Sequence, residues 1–422
     1  MTAVRATKSR PRMEDFDVWY SGYAATVPGM AGSWLSFLYY GAALWAVSSI
    51  VCRRYPIAIP RRAHLFAVSS VAYVICLSMA GYFAGGGTIP MLKSIAYSSA
   101  FLMIPLLIAR YRFSDATRSL NIFCLYAPLG AVAGLSIALV QRFAFDTPPS
   151  GGAGNQNVFG VVMACLGCWS LAGIYGTSRS KKLLSIIGFG LGACGIFISD
   201  SRSLYLVVLL APLLALFILR GRSSRTGFIF VILAVLAMMF VAIYANKDRI
   251  VSGYEFAKLD IELIQTGRVH TSLGLRWVLW NASLAAIEES PLIGHGPQFK
   301  MDAVRSHLPA GFPEVQFTHV HNGLLDTVVA GGLLTLIPWL ALLASPLLMV
   351  FGIDNENPKR RFIVLSMLTI YLLSGSVGVM FGHDLLAVLY ALPLILVAAS
   401  DPGRNGVIWR FGVEAPLLLP EK

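Results

Sequence analysis

Long uncharged apolar runs alternate along this chain with short polar connections. Eleven runs are clear, at 34–51, 65–83, 92–109, 120–140, 158–175, 183–199, 204–219, 228–244, 324–351, 362–380 and 385–399. Only Lys93 and Asp326 put a charge inside one, each near an end. About 20 apolar residues in a helix cross a hydrocarbon layer of about 30 Å. Lipid offers the backbone no hydrogen-bond partner, so each run is expected to be helical. A weaker run at 16–32 adds one more helix. The expectation is an all-α polytopic membrane protein with 11–12 transmembrane helices, twelve being favoured because that count puts both ends on one side.

The connections fix the orientation. Alternate loops carry sixteen Lys and Arg, among them Arg53, Arg54, Arg110, Arg112, Lys181, Lys182, Arg220 and Arg360. The short loops of the other set carry three, Lys93, Arg142 and Arg202. Basic loops stay in the cytoplasm, so the long loop from Ala245 to Val320 is expected outside. The expected plan is a cytoplasmic N-terminus with a possible first helix (1–33), a helix bundle (34–245), a periplasmic loop with structure of its own (246–320), C-terminal membrane helices (321–400) and a cytoplasmic tail (401–422).

Within the outer loop, Leu273, Trp277, Trp280, Leu284 and Ile287 recur at helical spacing and predict an amphipathic helix, its two Trp suited to the membrane interface. Ser290-Pro291 is expected to end it, and Gly294-His295-Gly296-Pro297 reads as a tight turn.

Composition narrows the function. Hydrophobic residues make up 56% and charged residues 13%, against about 25% charged in soluble domains. The net charge of +12 lies between the spans, which suits membrane orientation and not nucleic acid. Most of the six cysteines lie in apolar runs and none in the outer loop, so no disulfide framework is expected. Cys165-x-x-Cys168 reads as small-residue packing. The basic N-terminus runs into Glu14, Asp15 and Asp17, unlike a cleavable signal peptide.

The residues that can carry chemistry gather on the outer side. Arg202 sits in a very short connection, Ser199-Asp200-Ser201-Arg202-Ser203. Its planar fork suits phosphate oxygens, though a salt bridge to Asp200 or a snorkelling position explains it equally. Arg276 lies beside Trp277 and one turn before Trp280; a solvated polar face is the alternative. His319 and His321 precede Asn322, a good N-cap, so His321 would lie at a helix N-terminus that welcomes an anion. A neutral His there can take a proton from a sugar hydroxyl, with Asp326 one turn on to orient it. A metal pair is the rival reading of His-x-His, but no third ligand is evident. Asp15-Phe16-Asp17 spells the diphosphate-metal signature DxD, useful outside only if the N-terminus is outside. Asn155-Gln156-Asn157 follows a flexible loop, and Asn157 is expected to cap the next span.

Taken in order, Ser201-Arg202-Ser203, Arg276-Trp277 with Trp280, Ser290-Pro291-Leu292-Ile293-Gly294-His295-Gly296-Pro297, His321-Asn322-Gly323-Leu324-Leu325 and Gly331-Gly332-Leu333-Leu334 resemble the O-antigen ligase and polymerase family of bacterial envelope proteins. Gly154-Asn155-Gln156-Asn157 is similar to a loop of that family. The resemblance runs from about Gly154 to Leu334; the N-terminal third matches only in hydropathy. It implies a GT-C-like, metal-independent, inverting glycosyltransferase of the bacterial inner membrane, with no cofactor and the site facing the periplasm. The implied partners are an undecaprenyl-diphosphate-linked O-antigen donor, a lipid A–core acceptor and membrane lipids. By the same resemblance Arg202 and Arg276 hold the diphosphate and His321 is the base or orients the acceptor. His319, Trp280, Asn322 and Asp326 would complete the substrate site.

Ligation is expected over polymerisation of repeat units, because the compact length suits the ligase branch. The contrasting class is a transporter or flippase of lipid-linked saccharide. That class needs ionisable groups at midplane and often broken helices, whereas the run centres here are nearly charge-free.

Overall fold

The computed structural model describes residues 13–52, 57–176, 178–219, 233, 244, 247–265, 271–310, 312, 317–351, 357–378, 380–401 and 406–409. The helices are α1 (Met13–Met30), α2 (Gly32–Val51), α3 (His64–Gly85), α4 (Thr88–Leu102), α5 (Ile104–Arg112), α6 (Ala116–Phe143), α7 (Gln156–Leu171), α8 (Arg179–Ile198) and α9 (Tyr205–Leu219). Three helices of the long loop follow, α10 (Lys247–Gln265), α11 (Ser272–Glu289) and α12 (Gly296–Arg305). The last three are α13 (Gly323–Ala344), α14 (Pro358–Gly375) and α15 (Asp384–Ala399). Among the described residues eight segments are long and apolar enough to cross a membrane, and α15 is a shorter apolar helix. The chain is an all-α polytopic membrane protein. The run expected at 228–244 lies almost wholly outside the described residues.

The weak run near the N-terminus is helical, as α1. It packs along α6 through small residues: a Cβ on Gly29 would lie 2.0 Å from the Gly130 carbonyl oxygen. Asp15 and Asp17 each pair with a different arginine. Buried Asp17 accepts from the Arg110 guanidinium, and Asp15 pairs with Arg118 at 2.8 Å. The DxD spelling is therefore spent on two ion pairs to the basic loop side.

Two boundaries differ from expectation for local reasons. The run at 92–109 divides into α4 and α5, where Pro105 stands at the start of the second helix and offers no N–H to the turn before it. Asn155, not Asn157, caps α7, accepting from the N–H groups of Asn157 and Val158. Cys165 and Cys168 are buried free thiols, on a helix whose Gly167 meets Gly192 of α8 at backbone contact. α15 is the central pillar, with every residue from Leu385 to Ala399 buried. At the basic-loop side, β1 (Ile57–Pro60) pairs antiparallel with β2 (Gly406–Trp409), Ile57 opposite Trp409.

The long loop is locked into the bundle at a break in α13. Gly332 has φ 62° and ψ −168°, a conformation open essentially to glycine. The N–H groups freed by the break are taken by the loop after α11: Leu333 donates to the Pro291 carbonyl at 2.9 Å and Leu334 to that of Leu292 at 3.1 Å. His295 N–H donates to the Val329 carbonyl at 2.8 Å. Lipid could not satisfy these groups, so the Pro291–His295 turn substitutes for the missing helical partner. The discontinuity is filled by protein, unlike the cavity-lining breaks expected of a transporter.

Candidate functional site

α11 ends at Glu289, before Ser290-Pro291 as expected, and it buries a second face beside the expected interfacial stripe. Leu279, Ala282, Ser283 and Ala286 are buried, and they pack with Met301, Val304, Val320 and Val329. Trp277 and Leu284 are exposed. Their positions suit contact with a membrane interface, while the small residues turned inward allow α12 and α13 to approach closely. α12 starts with Pro297 in its first turn, pre-set for helix. It rests on the outer end of α3, where a Cβ on Gly85 would lie 2.8 Å from the Phe299 ring.

This packing fixes the short segment 317–322. Trp280 Nε1 donates to the Val320 carbonyl at 3.1 Å, and the Val320 N–H donates to Asp326 Oδ1 at 3.3 Å. The other oxygen of Asp326 accepts from the ammonium of Lys300. Both partners of that ion pair are buried. Burial works to discharge Lys300, but the adjacent carboxylate overrides it and holds the lysine above its ordinary pKa. Asp326 thus grips the backbone between the two histidines. It was expected to orient the imidazole of His321 directly, but its hydrogen bonds run to Lys300 and Val320.

His319 and His321 come together, with ring centroids 4.1 Å apart. His321 has φ 56°, in the left-handed region, a conformation costing a non-glycine residue of order 1–3 kcal/mol. Asn322 closes the turn as the cap of α13, accepting from the N–H groups of Leu324 and Leu325 at 3.0 and 3.1 Å. The strained residue therefore stands at a capped helix N-terminus, beside Phe317, whose ring meets His321 edge-on at 5.7 Å.

Arg276 lies close enough for its charge to act on both histidines. It is half-buried, which lowers its pKa, and no described carboxylate pairs with it. Burial, then the neighbouring His319 and the Arg276 charge, push the pKa of His321 down to about 4. His319 is lowered too, by burial first. Both imidazoles are neutral near pH 7, next to a cation that no carboxylate among the described residues neutralises. Such a cluster favours an incoming anion. Among the described residues no group of three His, Cys, Asp or Glu side chains is placed to share a cation.

Arg202 is not part of this cluster. Its side chain is exposed, 3.9 Å from Asp200, and Nη1 lies 3.4 Å from where a Cβ of Gly253 on α10 would be. α10 in turn packs on α11, and Leu273 N–H donates to Asp260 at 3.4 Å. Arg202 thus reaches the site region through α10. Lys300 was missed by reading the sequence. Pro297 signalled the helix that carries it, but nothing local announces a partner 26 residues on.

Residues 187–340 match a family model described as O-antigen ligase. The match takes in Arg202, Arg276, both histidines and the broken helix. That segment of the chain is similar to the O-antigen ligase family. A curated protein of Haemophilus influenzae, named only as uncharacterized, is 30% identical to this chain over 135 residues. That match covers 31% of this chain and 33% of the relative, so the chain spans about a third of the length of the curated relative it matches.

Proposed function

We propose that this protein transfers an O-antigen glycan from undecaprenyl diphosphate to a sugar hydroxyl of lipid A–core at the periplasmic face of the bacterial inner membrane, with inversion at the anomeric carbon and no metal. The observation that carries the reading is the guanidinium of Arg276, which no carboxylate among the described residues pairs with, beside the neutral His319–His321 pair, inside the segment that matches the O-antigen ligase family. The site plan is the periplasmic loop, 246–320, closing over the helix bundle.

In this reaction the acceptor oxygen attacks the anomeric carbon opposite the diphosphate. The new C–O bond forms as the bond to the phosphate oxygen breaks, and the diphosphate leaves with the electron pair. Arg276, with Arg202 at the rim, neutralises the charge that develops there, the kind of fixed electrostatic stabilisation that supplies the largest catalytic effect in many enzymes. His321 takes the acceptor proton on its imidazole. A base with a pKa of about 4 is weak, but a bound diphosphate offsets the Arg276 field and raises His321 toward useful basicity. His319 and Asn322 line the same turn. Trp280 and Asp326 are positioning residues that fix its backbone.

The test is a reconstituted reaction. Purified protein is mixed with lipid-linked glycan and lipid A–core, and products are separated by size. A joined glycan–lipid A–core product supports ligation. Longer lipid-linked glycan made without use of lipid A–core would instead mean polymerisation. Translocation of donor across a vesicle wall with no joined product would mean transport. Full rates in Arg202→Ala, Arg276→Ala and His321→Ala would overturn the site assignment.

A further inference from the structure

A second polar feature lies on the outer side, away from the histidines. A cleft of about 520 Å³ opens between α4 and the start of α15, lined by Lys93, Ala96, Tyr97, Gly382, His383 and Asp384. Lys93 is the one charge that interrupts the apolar run of α4. It is exposed and has no ion-pair partner among the described residues. His383 and Asp384 are also exposed, at the mouth of α15. A cation, an imidazole, a carboxylate and a phenol therefore converge from two helices on one opening.

The surroundings say what kind of molecule fits. Phe83, Ile89 and Leu92, on the same helical hairpin, are exposed apolar side chains of the kind that suits contact with lipid. A ligand entering here meets charge beside lipid, which suits an amphiphile. Tyr97 forms the inner wall. Its hydroxyl lies 3.4 Å from Lys300 Nζ, so the cleft and the His319–His321 turn both border the Lys300–Asp326 pair.

We propose that this cleft binds the phosphorylated sugar head group of a membrane-anchored saccharide, Lys93 meeting phosphate and Asp384 meeting sugar hydroxyls, with His383 beside them. The proposal rests on the glycosyl-transfer reading, within which it gives the acceptor a docking place separate from the reacting centre. An acceptor whose reacting hydroxyl lies several sugars from its phosphates can anchor in the cleft and still reach His321. Phosphate gives Lys93 a strong charge-assisted partner, and sugar hydroxyls give Asp384 donors that a phosphate alone lacks.

The test is equilibrium binding to the purified full-length protein, with no donor present. The probes are lipid A–core, the same lipid stripped of its phosphates, and free glucose 1-phosphate. Wild type should prefer the phosphorylated lipid. Lys93→Ala should weaken that binding about tenfold without altering binding of the stripped lipid, and Lys93→Arg should retain it. Asp384→Asn should weaken both lipids. Glucose 1-phosphate should fail to displace the lipid at the concentration that half-saturates the protein with lipid; displacement there would overturn the requirement for a membrane anchor. Unchanged binding in both Lys93→Ala and Asp384→Asn, or an equal loss on both lipids in Lys93→Ala, would overturn the site. In turnover, Lys93→Ala should raise KM for the acceptor and leave KM for the donor. Full activity in Arg276→Ala would sink the glycosyl-transfer site while leaving the binding result for the cleft standing on its own.

Discussion

Asp326 divides its carboxylate between the ammonium of Lys300 and the backbone N–H of Val320. A buried ion pair thereby holds the segment that carries both histidines. Removing one partner strands the other charge, at a typical cost of about 3–5 kcal/mol. Lys300→Met is expected to unfold at markedly lower temperature in detergent. The double variant Lys300→Met/Asp326→Leu should recover much of that loss, because two apolar groups replace the pair. Thermal melts of the three proteins check this; a double variant less stable than the single would contradict it.

Gly332 should not tolerate a side chain. Its φ of 62° and ψ of −168° cost an alanine about 1–3 kcal/mol, and its Cβ would sit 2.3 Å from the Leu292 carbonyl. Gly332→Ala is expected to fold poorly and to lose activity, since the Pro291–His295 turn docks there. Gly41→Ala, where a Cβ meets nothing within 4 Å, is the control and should behave as wild type. Yield of monodisperse protein after purification reads the difference.

How far the residues announced this arrangement varies with the range of the physics involved. Spans were legible because lipid imposes a uniform demand over about 20 residues, and α1 emerged from a weak signal. The cap at Asn322 was legible because capping is local. The interfacial stripe of α11 was legible, and Trp277 and Leu284 on it are exposed; the face turned inward was not, because Leu279, Ala282, Ser283 and Ala286 are set by close packing against α12 and α13. The Lys300–Asp326 pair and the hydrogen bond from the Leu333 N–H to the Pro291 carbonyl join distant parts of the chain, and no local pattern encodes them. Asp17 misled for a similar reason, since its partner Arg110 lies 93 residues away.

The pH dependence carries a definite sign. His321 must be neutral to accept a proton, and its pKa in the free protein is depressed to about 4. The acid limb of kcat/KM should therefore fall near pH 4, well below the ordinary histidine value of about 6.5. The acid limb of kcat should lie higher, because bound diphosphate favours the imidazolium. His321→Ala should lower the rate by about 10²–10⁴ and abolish both limbs. An unchanged limb in that variant would assign it to another group.

Arg276→Lys should not restore what Arg276→Ala removes. Loss of one such stabilising donor typically costs about 10²–10³ in kcat. A lysine keeps the charge but not the planar fork that meets two phosphate oxygens. Its rate is expected between the two, closer to alanine, in a steady-state assay with saturating acceptor.

The most direct measurement is binding of undecaprenyl diphosphate alone, without glycan or acceptor and in the presence of a chelator, to wild type, Arg276→Ala and His321→Ala. Binding is expected in wild type, at least tenfold weaker in Arg276→Ala, and close to wild type in His321→Ala, which should bind without turning over. Equal affinity in Arg276→Ala, or binding that disappears with chelator and returns with magnesium, would contradict a metal-free guanidinium site.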